Sequence, residues 1–135
     1  MPEFSSPSKN RETIEAIYEA FSARDYDGVL KLCDPKVTFQ IAGKSALAGK
    51  YDAGNFVSNL ASKWNELSGG KFNLDVHDIL ASDRHAVALA SVKFARGDQT
   101  LEYRTVQVWR IENGSPVAWY EYPRDLYQFD AIWSG

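Results

Sequence analysis

The sequence predicts an α+β fold in which three N-terminal helices pack on the concave face of a curved antiparallel sheet. In the first half of the chain, apolar residues recur at spacings of three and four, which is the pattern of amphipathic helices. From residue 72 onward, apolar and polar residues alternate as they do in half-buried strands. Because helices come first and hairpin-linked strands follow, the two kinds of element are segregated, as in α+β domains.

Three helices are predicted from this spacing. The first begins near Ser6-Pro7, Ser8 or Asn10, the second runs from about Asp25 to a stop at Asp34-Pro35, and the third ends at Ser68-Gly69-Gly70. The inward positions are Ile14, Ile17, Tyr18 and Phe21 in the first helix, Val29, Leu30, Leu32 and Cys33 in the second, and Phe56, Val57, Leu60, Trp64 and Leu67 in the third.

The sheet is predicted from five strands. Residues 37–41 form the first strand, and the small, glycine-containing residues 42–50 form a loop. The breaks between the later strands fall at polar turns, of which Asn113-Gly114 is the strongest hairpin signal. The later strands are those around Phe72, Leu74 and Val76, then residues 87–94, 100–111 and 117–122.

Length and composition limit the functions to consider. A chain of 135 residues, 44% of them hydrophobic, suits one domain, predicted at residues 9–135 after a flexible tail at residues 1–8. The net charge of −3, without a basic stripe, argues against nucleic acid as a partner. Because there is neither a secretory signal nor an apolar run long enough for a bilayer, we expect a cytoplasmic protein without a membrane partner.

No cofactor and no metal are predicted. His77 and His85, together with the single cysteine Cys33, do not have the spacing of a metal site. No glycine-rich phosphate loop follows a predicted strand, so nothing indicates nucleotide binding. The lone cysteine also rules out an internal disulfide.

A family resemblance runs through four stretches of the chain, AFSARDYDGVLKLCDPKVTF, KSALAGKYDAGNFV, GGKFNLDVHDILASDRHAVAL and EYPRDLYQFDAIW. With the predicted order of elements, they resemble the nuclear-transport-factor-2-like (NTF2-like) superfamily, and in particular its SnoaL-like, ketosteroid-isomerase-related branch, from about Glu12 to Trp133. The resemblance implies a cone-shaped α+β roll with a pocket. It implies a reaction only weakly, since this fold serves many activities and many proteins that are not enzymes.

Comparison with ketosteroid isomerase implies that steroid isomerase activity is not expected. Its general-base aspartate matches Gln40, counted back from Gly43, and glutamine has no useful proton to exchange. Its oxyanion-holding tyrosine and aspartate match Ile17 and Gln107, of which only Gln107 still has a hydrogen-bond donor.

Two other enzyme types of the superfamily point to the last strand. Limonene epoxide hydrolase has an aspartate two residues after a pocket tryptophan, which matches Glu121 after Trp119. Its Arg-x-Asp pair has no counterpart in residues 87–94, where Ser91 and Lys93 stand. The polyketide cyclases, which work with one acidic residue near this place, look most similar.

Glu121 is the candidate catalytic residue, because strand alternation puts it on the same face as Trp119. A carboxyl group held against tryptophan and away from water can keep its proton near neutral pH and act as a general acid or base. The alternative is a glutamate on the wet or dimer-facing side of the sheet. The candidate ligand-binding residues are Gln40, Tyr103, Gln107, Trp119, Trp64 and His77.

Several of these candidates have alternative structural roles. Gln40 and Gln107 could orient a ligand carbonyl or make ordinary structural hydrogen bonds. The face that carries Tyr103 and Gln107 could equally pack on a second subunit. His77 shares a face with Asp75 and could shuttle protons, or it could be an exposed strand residue.

Three functions remain open from the sequence. The first is a cofactor-free enzyme of the isomerase, cyclase or dehydratase type, acting on a small, largely apolar carbonyl compound. The second is a ligand-binding module without turnover, and the third is a protein-interaction module. A buried Glu121 with a raised pKa favours the enzyme. An exposed Glu121 in a polar pocket favours the ligand-binding module, and a pocket filled by tryptophans favours the protein-interaction module.

We also expect a homodimer through the sheet, since one helix-packed side cannot bury all of its apolar residues.

Overall fold

A computed structural model describes residues 6–134 of the chain. The predicted tail lies mostly outside the described residues, but its last two residues, Pro7 and Ser8, already belong to a helix. The helices are α1 (Pro7–Ser22), α2 (Tyr26–Lys31), a π-helical turn (Phe56–Ala61) continued by α3 (Ser62–Leu67), and α4 (Leu126–Trp133). The strands are β1 (Thr38–Ile41), β2 (Gly49–Asp52), β3 (Leu74–Ala81), β4 (His85–Arg96), β5 (Gln99–Glu112) and β6 (Ser115–Pro123).

The predicted α+β class is confirmed: the six strands form one curved, unclosed sheet in the order β2-β1-β6-β5-β4-β3. The sheet is not wholly antiparallel, because β1 runs parallel to β6. These two strands are far apart in the sequence, so no hairpin turn imposes opposite directions on them. β2 was not predicted: its first two residues, Gly49 and Lys50, fell in the predicted loop at residues 42–50.

Side-chain caps begin three of the helices. Ser6 caps α1 and accepts from the Lys9 amide, with Pro7 in the first turn. Asp25 caps α2 through the Gly28 amide, and Asp125 caps α4 through the Gln128 amide. Each cap satisfies an amide that has no partner within its helix.

The third predicted helix has a π-helical first half, and this changes which side chains face inward. A π-helix has more residues per turn than an α-helix, so the 3.6-residue pattern no longer selects the buried face. Val57, predicted to face inward, is 40% exposed, whereas Phe56 and Leu60 are buried. Leu32 was also wrongly placed inward, because α2 ends at Lys31 and Leu32 follows as its C-terminal cap.

The loop between β1 and β2 is fixed against α4. Gly43 has a φ of +101°, a conformation that side chains other than glycine rarely adopt, and a Cβ atom there would collide with the Asp130 carboxylate. The Asp130 Oδ2 atom accepts from the Lys44 amide at 3.0 Å. Glycine therefore lets the loop approach the helix that closes this end of the core.

No helix within residues 6–134 combines the length and the apolar character that crossing a membrane requires.

Candidate active site

A cavity of about 20 Å³ lies between the helices and the inner face of the sheet. A space of that size holds about one water molecule. Its walls are mainly aromatic, and its polar lining comes from Tyr18, Gln107 and Glu121. The aromatic residues of the sheet and of the third helical segment that line it are Phe39, Phe56, Trp64, Trp109 and Trp119.

Glu121 lines this cavity and is 2% exposed. Alternation along β6 places it on the face of Trp119, and pairing with β5 sets it opposite Gln107. Its Oε2 atom accepts from the Thr105 hydroxyl at 2.9 Å and from the Gln107 amide at 3.0 Å. Burial raises the pKa of Glu121 above its ordinary value of 4.5, and these two hydrogen bonds offset only part of the rise.

A chain of hydrogen bonds fixes the orientation of the Gln107 amide. The Trp109 indole N–H donates to the Tyr18 hydroxyl at 3.0 Å, so the Tyr18 proton is free to donate to Gln107 Oε1 at 2.6 Å. The Gln107 nitrogen must then face Glu121 as a donor. Glu121 Oε2 thus accepts two hydrogen bonds, and when Glu121 is neutral its proton belongs on Oε1.

Tyr18 and Thr105 are part of the site but were not among the predicted site residues. The alignment with the isomerase tyrosine selected Ile17, one position before the residue whose hydroxyl reaches the sheet. Both residues lie on the inward face of α1, so helical spacing alone did not separate them. Burial raises the pKa of Tyr18 despite hydrogen bonds from Trp109 and Trp119, which keeps the phenol neutral.

Gln40 does not reach the cavity, which corrects its predicted ligand-binding role. In the parallel pairing of β1 with β6, Phe39 lies beside Trp119, Gln40 beside Tyr120 and Ile41 beside Glu121. Paired residues share a face of a sheet, so Gln40 lies with Tyr120 on the outer face while Phe39 lines the cavity.

His77 also lies outside the cavity. Its side chain is 42% exposed, 3.7 Å from the Asp75 carboxylate, and its ring nitrogen is 3.1 Å from the Ser91 hydroxyl. The inward residue of this part of β3 is Leu74, which lines the cavity. The interpretation of His77 as an exposed strand residue is the one that fits this position.

Tyr103 is buried but does not line the cavity either. It lies one inward position before Thr105 on β5, under α4, where its hydroxyl accepts from the Trp133 indole at 2.9 Å. Its ring meets Phe129 edge-on, with the ring centres 5.3 Å apart. The predicted ligand contact is therefore replaced by a structural one, because α4 occupies the space above this residue.

Trp64 and Trp119 do line the cavity, and Trp64 has an unusual feature. Within residues 6–134, its buried indole nitrogen has no hydrogen-bond partner. A buried donor left without a partner typically costs about 1–3 kcal/mol. A hydrogen-bond acceptor beside this nitrogen would remove that cost.

No three His, Cys, Asp or Glu side chains among the described residues are grouped so that they could hold a metal ion. The polar groups around the cavity are a carboxyl group, a phenol, an amide and indoles, which are suited to hydrogen bonding and proton exchange.

The family follows from the sequence match and agrees with the fold. The model of the SnoaL-like domain matches residues 14–119, so the chain belongs to the SnoaL-like domain family. No curated protein matches the chain significantly.

The fold is shared with solved structures, one of which is described as an NTF2-like protein. Bal32a from a soil-derived mobile gene cassette is 24% identical, with a TM-score of 0.85 over 96% of this chain and 99% of that one. An NTF2-like protein from Burkholderia pseudomallei is 22% identical, with a TM-score of 0.78 over 94% and 98%. A limonene-epoxide-hydrolase-like (LEH-like) epoxide hydrolase of M. tuberculosis is 16% identical, with a TM-score of 0.69 over 94% and 90%. These likenesses show the fold.

Proposed function

We propose that the chain binds a small, largely apolar carbonyl compound in the aromatic cavity and that Glu121 exchanges a proton with it, without a cofactor. The observation that carries this proposal is a single carboxyl group, 2% exposed among aromatic rings, with Oε2 saturated by Thr105 and Gln107. Since burial favours the neutral acid, the group holds its proton to a higher pH than an exposed glutamate does, and it can donate that proton and take it back.

The same group supports isomerisation, cyclisation or dehydration, because each needs a proton delivered to or removed from a carbonyl compound. Oε1 is the exchanging atom, and Gln107 and Thr105 hold the carboxyl group in place through Oε2. The similarity of fold to an LEH-like epoxide hydrolase is consistent with chemistry in this cavity. Steroid isomerase activity is not expected, because Gln40 matches the position of the isomerase base. Phe39 and Ile41, the β1 residues that face inward, supply no base either.

Ligand entry requires side chains to move, because the cavity holds only about one water molecule. Phe21, Phe72 and Leu74 line both the cavity and a neighbouring surface pocket of about 70 Å³. Arg24 crosses this region and donates to the carbonyl oxygens of Phe72, at 2.9 Å, and Gly70, at 3.4 Å. We propose that ligands enter here, by rotation of these apolar side chains.

The small size of the cavity favours a second candidate function. Trp64, Trp109 and Trp119 are buried and line the cavity on several sides, as expected for a protein-interaction module in which the interior is only a core. The buried Glu121 speaks against this candidate, because a carboxyl group that does nothing there costs stability.

Binding of matched small molecules distinguishes the two functions. Cyclohexanone and methylenecyclohexane have nearly the same shape, but only the ketone has an acceptor oxygen. We expect both to bind, with the ketone favoured roughly 2- to 13-fold, the value of one hydrogen bond, as measured by saturation-transfer NMR titration. If neither compound binds at millimolar concentration, the interaction module is the better account.

We also propose that a second copy of the chain packs on the outer face of the sheet. Leu89, Val106 and Tyr122 are paired across β4, β5 and β6 and form an apolar row on that face. Leu89 is 39% and Tyr122 55% exposed, so the row is open in a single chain. Apolar patches of this kind usually mark an interface.

Sedimentation equilibrium at micromolar concentration should therefore show a dimer, and Leu89→Arg should shift it to monomer. Glu12→Lys, an exposed charge reversal on α1 away from the outer face of the sheet, is the control and should leave the dimer intact. A wild-type monomer at these concentrations would contradict the proposed interface.

A further inference from the structure

The indole nitrogen of Trp64 differs from those of other buried tryptophans in this chain. Trp109 donates to Tyr18 at 3.0 Å and Trp133 donates to Tyr103 at 2.9 Å. Trp64 is 4% exposed, and no partner for its nitrogen is found among residues 6–134. Its ring is surrounded by the rings of Phe21, Phe56, Phe72 and Trp119, which have no oxygen to offer.

Glu121 contributes a second group to the same cavity. Its Oε2 atom already accepts from Thr105 and Gln107, so Oε1 is the atom left to meet a guest. When the acid is neutral, Oε1 carries the proton and is a donor, like the nitrogen of Trp64. Both residues line the cavity of about 20 Å³, which has room for about one oxygen atom.

We propose that this cavity is a built site for one acceptor oxygen, held by the Trp64 indole N–H and by Oε1 of Glu121. Water occupies it in the free protein, and the oxygen of the ligand takes its place in the complex. The placement of the ligand oxygen rests on the proposed function, whereas the water site in the free protein does not. An oxygen with two lone pairs can accept from both donors at once.

This site defines the substrate class as neutral oxygen compounds, namely ketones, aldehydes, ethers or epoxides with an apolar remainder. An amine would take the proton of Glu121 and bury an ion pair, and a carboxylate would bring a charge into an aromatic cavity. Both are costly in a site that excludes water. Trp64 is then a specificity-determining residue, and it acts by orienting the oxygen that Glu121 protonates.

Water-selective NMR on ¹⁵N-labelled protein tests the water site without any ligand. The indole Hε1 signal of Trp64, assigned by its loss in Trp64→Phe, should show a nuclear Overhauser effect to a long-lived water. Trp133, which is bonded to Tyr103, is the internal control and should show none. The effect should persist in Glu121→Gln, which removes the carboxyl proton as a relay.

A Trp64 Hε1 signal shifted upfield by a facing ring, without a water contact, would overturn the inference in favour of an N–H···π contact.

Cyclohexanone tests whether the oxygen of a ligand takes the place of the water. It should remove the water effect, and Trp64→Phe should weaken its binding roughly 2- to 13-fold while leaving methylenecyclohexane unaffected. A ketone that binds without displacing the water overturns this inference but leaves the proposed function standing. A ketone that does not bind counts against the proposed function, and the water site is then decided by the first experiment.

Discussion

Glu121→Gln is expected to slow proton exchange on a bound ketone by roughly 10²–10⁴-fold, the usual contribution of a general acid or base. The assay is the incorporation of deuterium from D₂O next to the carbonyl of cyclohexanone, followed by ¹H NMR. The wild-type protein should accelerate this exchange. The side chain of glutamine is neither an acid nor a base near neutral pH, so the acceleration should largely disappear.

Ketone binding should survive this substitution within a few-fold. The amide oxygen of glutamine can accept from Thr105 and Gln107 as Oε2 does, and its NH₂ group then takes the place of Oε1 as a donor. Glu112→Gln, an exposed carboxylate on β5, is the matched control and should leave exchange unchanged. Equal exchange by wild type and Glu121→Gln would remove Glu121 from the chemistry. Binding without exchange in the wild type would indicate the ligand-binding module.

Trp133→Ala is expected to lower the free energy of unfolding by about 3–5 kcal/mol, the usual cost of deleting a large buried aromatic residue. Trp133 is 0% exposed, and its ring lies 5.3 Å from that of Phe94 and 5.8 Å from that of Phe72. The substitution opens a cavity under α4 and also leaves the Tyr103 hydroxyl without its donor. Urea unfolding followed by circular dichroism measures the loss.

Trp133→Phe separates packing from hydrogen bonding. Phenylalanine keeps an aromatic ring against the same neighbours but donates no hydrogen bond, so its cost should be clearly smaller than that of alanine. A loss below about 1 kcal/mol for Trp133→Ala, far under the usual cost of such a deletion, would mean that α4 does not close the core in the way described.

The local sequence pattern was sufficient for five of the six strands of the described residues and for one face of the site. Period-two alternation linked Glu121 to Trp119, and the Asn113-Gly114 turn defined the hairpin that sets Gln107 opposite Glu121. These features depend on neighbours in the sequence, so they can be read from it. The helix face of α1 was also predicted, since its spacing is regular.

The sequence could not predict the side-chain positions that depend on pairing between distant segments of the chain. Gln40 was placed by counting from Gly43, but its direction is set by the register of β1 on β6, where it lies beside Tyr120. Tyr18 and Ile17 are both inward on α1, and only the position of the sheet selects the one that reaches Gln107. β2 is four residues long and starts at a glycine, which is too little pattern to predict a strand.

Glu121 is proposed to be a buried acid whose pKa is raised in the folded protein, which implies a defined pH dependence of stability. Its pKa is near 4.5 when unfolded and higher when folded. The stability it contributes is therefore fully present below about pH 4.5 and decreases as the pH rises towards the folded pKa, by about 1.4 kcal/mol per pH unit between the two values. Glu121→Gln lacks this decrease, so its stability relative to wild type should grow over that interval.

The most direct measurement is the ¹³C NMR titration of the Glu121 side-chain carboxyl carbon in the folded protein, assigned by its loss in Glu121→Gln. We predict a midpoint clearly above 4.5, because burial outweighs the hydrogen bonds from Thr105 and Gln107. A carboxyl group that titrates at or below 4.5 would be an ordinary ionised glutamate at neutral pH, and this result would contradict the proposed proton exchange.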